Sequence, residues 1–274
     1  MTKIIDTAAS VTSRLPQLKA AGVETVIRYL TTATASYKIV RPEEARAIAQ
    51  AGLKLGLVFE DYGGTRGYSD INAGFGKIHA ELCLRWAPMV GAPDRTIIWF
   101  AVDTDAHGAQ ITDHIVPYFR AIKSTMGERY RAGIYGCGAA CAAALDAAVV
   151  DAAWLSNARG WNGYQAFLAS NRWVLLQHLP VKIGGLDVDP DDGQGDTGAF
   201  VPFGEAAAPE PIAPPAKPLL AKGSTGPFVQ ELLTRLKLEP EFGDKTDAAV
   251  RKFQAAHGLL VDGVVGDQTW TALG

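Results

Sequence analysis

Eight short apolar segments alternate with longer amphipathic segments over residues 3–189, and this alternation constrains the fold more than any other feature of the sequence. The short segments have the length and the branched or aromatic residues of β-strands, and the longer ones place apolar residues at helical spacing. Eight such units in about 200 residues predict an α/β fold, a (β/α)8 barrel of the TIM type. The predicted strands are Lys3 to Asp6, Thr25 to Leu30, Lys54 to Glu60, Thr96 to Asp103, Arg131 to Tyr135, Ala152 to Ser156, Trp173 to Gln177 and Leu186 to Asp189.

A stretch rich in proline and alanine divides the chain into two parts. Residues 205–218 read EAAAPEPIAPPAKP, in which five prolines prevent a regular helix and favour an extended spacer. We therefore predict a barrel domain over residues 1–204, a linker over residues 205–218 and a small domain over residues 219–274.

The C-terminal part contains one four-residue pattern twice. Gly-Asp-x-Thr occurs at residues 243–246 and again at residues 266–269, and apolar residues at helical spacing follow each copy. Such self-similarity is typical of a small module built from repeated helical units. We expect an all-α domain of three helices, with a core formed by Phe228, Leu232, Val250, Phe253 and Trp270.

Polar side chains end nearly every predicted strand of the barrel. In a parallel barrel the carboxyl ends of the strands meet at one rim, so residues far apart in sequence can share a site there. Two carboxylates in one pocket separate their pKa values, so that one can hold a proton while the other is ionised, as glycoside hydrolysis requires. The candidate catalytic residues are Asp6, Glu60, Asp103 and Asp105, and the candidate substrate-binding residues are Tyr62, Tyr135, Trp154, Gln177 and Asp187.

Each of these residues also has a simpler interpretation. An acidic residue after a strand can cap the next helix, an aromatic residue can pack in the core, and the same oxygens could bind Mg²⁺ or Ca²⁺. Capping does not require polar residues on at least six of eight strands at one rim, so the joint pattern favours a functional site. Asp103 and Asp105 would face the same pocket if their strand continued through both.

Charge and motifs argue against several other functions. The 26 basic and 29 acidic residues give a net charge of −3 without any basic block, so nucleic acid is not an expected partner. The sequence has no phosphate-binding loop, no GxSxG and no HExxH, so we expect neither a metal nor a cofactor. The N-terminal residues include no apolar run of signal-peptide or membrane-spanning length. We expect a monomer that is made in the cytoplasm without a signal peptide and does not insert into membranes.

Six motifs of the first part resemble, in their order, a glycoside-hydrolase-like barrel family known as domain of unknown function 1906. They are IDTAAS (5–10), GLVFEDYG (56–63), IIWFAVDTDA (97–106), AGIYG (132–136), AAWLSNA (152–158) and LLQH (175–178). The resemblance covers about residues 2–200 and implies a barrel of the kind found in phage endolysins and wall-associated bacterial proteins. More distantly, the pattern is similar to the family 25 muramidases.

The distant similarity also implies roles for individual carboxylates. In those muramidases an Asp ends the first strand and an Asp-x-Glu ends the fourth, with the Glu as proton donor, and the matching residues here are Asp6, Asp103 and Asp105. Because Asp105 is one methylene shorter than a Glu, Glu60 is an alternative donor. Asp103 is then expected to be the ionised stabiliser or base, with Asp6 and Asp187 as electrostatic support.

Residues 219–274 resemble the peptidoglycan-binding type 1 module in the segments KGSTGPFVQELLTRL, FGDKTDAAVRKFQAAHGL and VDGVVGDQTWTAL. Four residues match the motif of that module and are the candidate wall-binding residues: Asp262, Gly263, Thr269 and Trp270. Together the resemblances imply an endolysin-like peptidoglycan hydrolase that acts on the bacterial cell wall and cleaves its glycan by carboxylate acid/base catalysis. The alternatives are a non-catalytic peptidoglycan-binding protein and a wall amidase or peptidase.

Overall fold

The structure, a computed structural model, describes residues 4–32, 36–204, 217, 220–224, 226–238, 242–259, 261 and 263–274. Within these residues the chain forms a closed eight-stranded barrel surrounded by helices, followed by a helical C-terminal region. The predicted linker lies outside the described residues except for Lys217. None of the described helices is both long enough and apolar enough to cross a membrane.

All eight predicted segments form strands, and the part of the chain that the structure describes contains one further short strand. The strands are β1 (Ile4–Asp6), β2 (Thr25–Leu30), β3 (Lys54–Phe59), β4 (Ile97–Ala101), β5 (Arg131–Gly136), β6 (Ala152–Leu155), β7 (Leu175–Gln177), β8 (Val181–Ile183) and β9 (Leu186–Gly193). Strands β1 to β7 run parallel, and each pairs with the next. Strand β9 pairs with both β7 and β1 and so closes the barrel.

The closing strand differs from the predicted all-parallel barrel, because β9 runs antiparallel to both of its neighbours. No helix separates β8 from β9. The chain reverses at Gly184 and Gly185, which have φ angles of +57° and +82° and leave two residues between the paired strands. Two glycines with positive φ are typical of a tight hairpin, and a hairpin joins antiparallel strands. The reversal pairs Asp189 with Asp6 across the β9–β1 seam.

Helices on the outside of the barrel occupy the segments that show amphipathic spacing. They are α1 (Leu15–Ala20), α2 (Pro42–Gln50), α3 (Ala73–Met89), α4 (Val116–Met126), α5 (Gly138–Asp146) and α6 (Tyr164–Ser170). Their apolar faces pack on the outward-facing side chains of the strands and form the larger core. Helices α3 and α4 approach closely at Gly76, where a Cβ would overlap the carbonyl oxygen of Tyr118.

A second apolar cluster fills the interior of the barrel. Trp99 on β4 and Trp154 on β6 meet edge to face, with ring centroids 5.8 Å apart. The members of the cluster are Ile27, Val58, Ile97, Trp99, Ala101, Ala152, Trp154 and Leu175. Because this cluster blocks the interior, any ligand must bind above it, at an end of the barrel.

The C-terminal region contains helices α7 (Pro227–Leu236), α8 (Asp244–Ala256) and α9 (Asp267–Leu273). Both copies of Gly-Asp-x-Thr have the same local structure, because each glycine precedes a helix and both threonines, Thr246 and Thr269, are buried. Leu232, Val250 and Trp270 pack in the core of the module as predicted. Phe228 and Phe253 do not belong to it.

The two phenylalanines differ from the prediction for separate reasons. Phe228 lies on the outer face of α7 and is 39% exposed. Phe253 is half-buried and stacks on His257, one helical turn later, with ring centroids 3.9 Å apart. Phe242, which precedes α8, is buried in the core of the module instead.

Candidate active site

A cavity of about 360 Å³ opens at the carboxyl ends of the parallel strands, directly above the interior cluster. This volume lies in the range of small-molecule sites in proteins. Trp154, Val58 and Ala101 of the interior cluster contribute its apolar lining. Its other lining residues are Tyr29, Glu60, Asp103, Tyr135, Asn157, Ala158, Trp161, Gln177, Pro180 and Asp189.

Asp6 ends β1 and is completely buried behind the residues that line the cavity. The Tyr29 hydroxyl donates to its Oδ1 at 3.0 Å, and Nε2 of Gln177 donates to its Oδ2 at 2.9 Å. Burial raises the pKa of Asp6 to about 7, and the neighbouring charge of Asp189 acts in the same direction, while the two hydrogen bonds oppose the shift. With both oxygens occupied, Asp6 orients its neighbours and does not itself face the cavity.

A chain of hydrogen bonds links Asp6 to two tyrosines of the cavity. The Tyr135 hydroxyl donates to Oε1 of Gln177 at 2.9 Å, so the Gln177 amide bridges Tyr135 and Asp6. Burial raises the pKa of Tyr29 and of Tyr135, and nearby carboxylates add to both shifts, so both hydroxyls stay protonated. The network therefore fixes the direction of each phenol group.

Glu60 follows β3 directly and has a cationic partner. Nζ of Lys38 lies 2.9 Å from Oε2 of Glu60 and 5.5 Å from the centre of the Tyr29 ring. Partial burial lowers the pKa of Lys38, but the hydrogen bond and the charge of Glu60 outweigh this and raise it overall. The ion pair places a cation beside the Glu60 carboxylate at the edge of the cavity.

Asp103 lies two residues beyond the end of β4 and lines the same cavity as Glu60. The loop after β3 passes so close that a Cβ on Gly63, which has φ +57°, would lie 3.0 Å from the Asp103 backbone nitrogen. Burial raises the pKa of Asp103, the charge of Glu60 raises it further, and Lys38 partly offsets the shift. Asp103 therefore holds a proton more readily than it would in water.

Asp105 does not share this cavity, contrary to the expectation for a continuing strand. Strand β4 ends at Ala101, so the alternation of side chains does not extend to Asp105. The Asn162 backbone NH donates to Oδ1 of Asp105 at 2.7 Å, and Nε2 of His107 lies 3.1 Å from its Oδ2. The hydrogen bond from Asn162 and the contact with His107 lower the pKa of Asp105. The lowered pKa leaves Asp105 without a proton over a wider range of pH, so Asp105 is a poor proton donor.

Two further predicted residues also lie outside the lining of the cavity. Asp187 forms an ion pair with Lys182 at 2.6 Å, and its side chain is 75% exposed in the β8–β9 hairpin. Tyr62 is exposed and stacks on the Arg66 guanidinium, which lies 3.4 Å from the ring centre. Both side chains bind neighbours on the surface, so direct contact of either with a ligand in the cavity is not supported by the geometry.

The structure also adds residues that the sequence did not single out as site residues. Tyr29 and Asn157 line the cavity, and Lys38 pairs with Glu60 at its edge. None of the three is an acidic residue at the end of a predicted strand. Asp189 lines the cavity in place of Asp187, and burial followed by the charge of Asp187 raises its pKa. The signal for Asp189 was present, since it ends a predicted strand, but its orientation depends on the pairing of β9 with β1.

Asp191, two residues further along β9, lies in the interior of the barrel. Nε1 of Trp154 donates to its Oδ1 at 2.8 Å, and burial raises its pKa well above the ordinary value. This bond ties the floor of the cavity to the closing strand.

The candidate wall-binding residues of the module are mostly internal. Thr269 and Trp270 are buried, and the Cβ of a larger residue at Gly263, which has φ +72°, would overlap the carboxylate of Asp247. Asp262 lies outside the described residues. Burial argues against direct contact of Thr269 and Trp270 with a polymer, and their match to the motif is explained by packing.

Two family models match this chain. One, described as the Rv2525c-like, glycoside hydrolase-like domain, matches residues 16–182, and the other, described as a putative peptidoglycan binding domain, matches residues 227–273. Two proteins of Bacillus subtilis (strain 168), both described as uncharacterised, are similar to it. FadG is 30% identical over 198 residues, which are 68% of this chain and 34% of FadG. YbfG is 31% identical over 215 residues, which are 71% of this chain and 29% of YbfG. The chain thus spans about a third of the length of these relatives.

A solved structure shares the fold of the barrel. The Tat-secreted protein Rv2525c of Mycobacterium tuberculosis, crystallised with L-tartrate, superimposes with a TM-score of 0.61 at 24% identity. The match covers 74% of this chain and 98% of the crystallised one. That relative is described as secreted, whereas the expectation of a chain without an export signal stays a prediction.

Proposed function

This chain belongs to the Rv2525c-like, glycoside hydrolase-like domain family, and we propose that it is a hydrolase of the bacterial cell wall, held on peptidoglycan by its C-terminal module. Within that class we propose cleavage of the glycan, as by a lysozyme or an endolysin. The observation that carries the proposal is the cavity at the strand ends. There Glu60, in an ion pair, and Asp103, with a raised pKa, line one space.

The different surroundings of Glu60 and Asp103 favour a division of roles. Asp103 holds its proton more readily and would donate it to the glycosidic oxygen as the bond to the anomeric carbon breaks. The Glu60 carboxylate, paired with Lys38, would stabilise the positive charge at that carbon and activate the water that replaces the leaving sugar. These roles reverse the ones expected from the distant similarity, where Asp103 was the ionised partner.

The remaining residues of the cavity would bind and orient the sugar. Trp161 and the two tyrosines offer aromatic faces, and Asn157 offers an amide for sugar hydroxyl groups. Asp6 contributes indirectly, because its hydrogen bonds fix Tyr29 and, through Gln177, Tyr135. We therefore propose Asp6 as a positioning residue.

Digestion of purified peptidoglycan tests the proposal. The wild-type chain should release fragments with new reducing ends, identified by mass spectrometry, and Asp103→Asn and Glu60→Gln should each reduce the rate about 100-fold or more. Asp105→Asn should change it by only a few-fold if Asp103 is the donor. The matched control is Asp146→Asn, because Asp146 is an exposed residue at the end of α5 that forms an ion pair with Arg172.

Other outcomes would identify the two alternatives. Wild-type rates in both the Asp103 and Glu60 variants would contradict the proposed roles. Sedimentation with the wall without any new ends would indicate a binding protein, and new amino groups in place of reducing ends would indicate an amidase or peptidase.

A further inference from the structure

A second cavity, of about 390 Å³, opens on the same rim of the barrel as the first. One wall comes from Ser10 and Thr12, which follow β1, and the other comes from residues 36–41, which follow β2. Both segments leave the carboxyl ends of parallel strands, so the two cavities face the same side of the molecule. The catalytic residues proposed above do not line this second cavity, which we call the outer groove.

The segment of residues 37–40 contributes to the outer groove through Tyr37 and reaches a lining residue of the main cavity through Lys38. The Val40 backbone NH donates to the Tyr29 carbonyl at 2.9 Å, which fixes residues 38–40 along the end of β2. Lys38 extends from this segment toward the main cavity and pairs with Glu60 at 2.9 Å. Tyr37, the preceding residue, lines the outer groove. One extended molecule could therefore lie across this segment and occupy both cavities.

The outer groove combines hydroxyl groups with an exposed aromatic ring. Tyr37 is 74% exposed, which is unusual for a large aromatic side chain. The hydroxyls of Ser10 and Thr12 lie 3.3 Å apart, and Ser36 adds a third. An aromatic face with several hydroxyl groups around it is suited to a sugar ring, which has an apolar face and a polar edge.

The charges around the outer groove favour an uncharged ligand. Glu44 lines it but is buried, and its Oε1 accepts hydrogen bonds from Nε of Arg28 at 2.9 Å and from the Val11 backbone NH at 2.8 Å. The Arg28 guanidinium thus neutralises Glu44. Arg41 and Glu43 also line the groove, and their charges are of opposite sign and offset each other.

We propose that the outer groove is a second sugar subsite, which binds an uncharged N-acetylhexosamine of the same glycan chain that occupies the main cavity. Tyr37 supplies the stacking platform, and Ser10, Thr12 and Ser36 supply hydrogen bonds. The inference deepens the proposed function, since it rests on a glycan lying in the main cavity.

Binding of oligosaccharides of two lengths tests the subsite. The full chain is used with Asp103→Asn in every sample, so that no sugar is cleaved, and calorimetry measures the affinity for N,N′-diacetylchitobiose and for N-acetylchitotetraose. We expect Tyr37→Ala to weaken tetrasaccharide binding about tenfold and to leave disaccharide binding unchanged within twofold. Tyr37→Phe keeps the aromatic ring and should retain both affinities.

The comparison of the two lengths decides the outcome. An equal loss for both sugars would place Tyr37 in the main cavity and overturn the inference. Unchanged tetrasaccharide affinity in Tyr37→Ala, or a parent chain that does not bind the tetrasaccharide, would overturn it as well. Sugar binding does not require cleavage, so the two proposals can fail separately. If Tyr37→Ala weakens only tetrasaccharide binding while wall digests show no new reducing ends, glycan hydrolysis is refuted and the second sugar subsite is supported.

Discussion

The Asp6 carboxyl lies completely buried at the end of β1, where both of its oxygens accept hydrogen bonds. Burial and the charge of Asp189 raise its pKa from the ordinary 3.8 to about 7. The folded chain therefore binds this proton more tightly than the unfolded chain does. Stability contributed by the protonated carboxyl is present below about pH 4 and is lost as the pH rises toward 7.

Asp6→Asn should remove this pH dependence, because the amide does not ionise. Between pH 4.5 and pH 7.5, the wild-type free energy of unfolding should fall relative to that of the variant by at most about 3 kcal/mol, because this interval covers only part of the range between the two pKa values. Urea denaturation at both pH values measures the difference. Asp146→Asn, an exposed carboxyl, should follow the wild type, and parallel profiles for Asp6→Asn would contradict the raised pKa.

At the scale of elements, neighbouring strands make room for large interior side chains. Trp99 on β4 lies beside Gly133 on β5, and the two are register partners. A Cβ on Gly133 would overlap the Trp99 ring, which also donates through Nε1 to the Thr197 carbonyl at 3.1 Å. Glycine is thus required where the barrel holds a tryptophan inside, and the position of Trp99 in turn supports Trp154 on the floor of the cavity.

Gly133→Ala should destabilise the barrel by about 1–3 kcal/mol, since the added methyl group has no space and the Trp99 ring is held on two sides. Chemical denaturation provides the measurement. The matched control is Gly160→Ala, where no atom lies within 4 Å of the added Cβ and the stability should change little. Equal stability of Gly133→Ala and the wild type would mean that the strands separate more easily than this packing implies.

At the scale of the whole molecule, the barrel is complete before the predicted linker begins, because β9 closes it by Gly193. The module adds a separate helical core around Leu232, Val250 and Trp270. Under the proposed function, attachment to an insoluble polymer raises the effective concentration of glycan at the cavity without any new contact there.

A chain that ends at Gly204 should keep its cleavage rate on soluble glycan fragments within a few-fold, because every lining residue of the cavity precedes that point. Its sedimentation with intact wall should fall about tenfold or more, as expected from the loss of a tethered second site. The comparison is with the full chain carrying Asp103→Asn, which should still sediment. Undiminished sedimentation of the shortened chain would assign wall binding to the barrel.

The amino-acid sequence was sufficient for features that depend on local pattern. The eight barrel strands and the helical C-terminal region follow from apolar runs and helical spacing. These patterns depend on the segment itself and not on which part of the molecule it packs against. The hairpin that precedes the closing strand also depends on a local feature, the adjacent residues Gly184 and Gly185, both of which have positive φ angles. The prediction of eight parallel strands did not include this hairpin. The domain boundaries near residues 205–218 stay a prediction, since most of that stretch lies outside the described residues.

The orientation of the polar residues depended on tertiary structure. By itself the sequence determined that carboxylates end the strands, because strand ends and acidic residues are both visible in it. Only the fold decided that Asp103 and Asp189 line the cavity while Asp105 and Asp187 lie elsewhere. The physical reason is that the direction of a side chain past the end of a strand is set by its hydrogen-bond partners, which come from distant parts of the chain, as Asn162 does for Asp105.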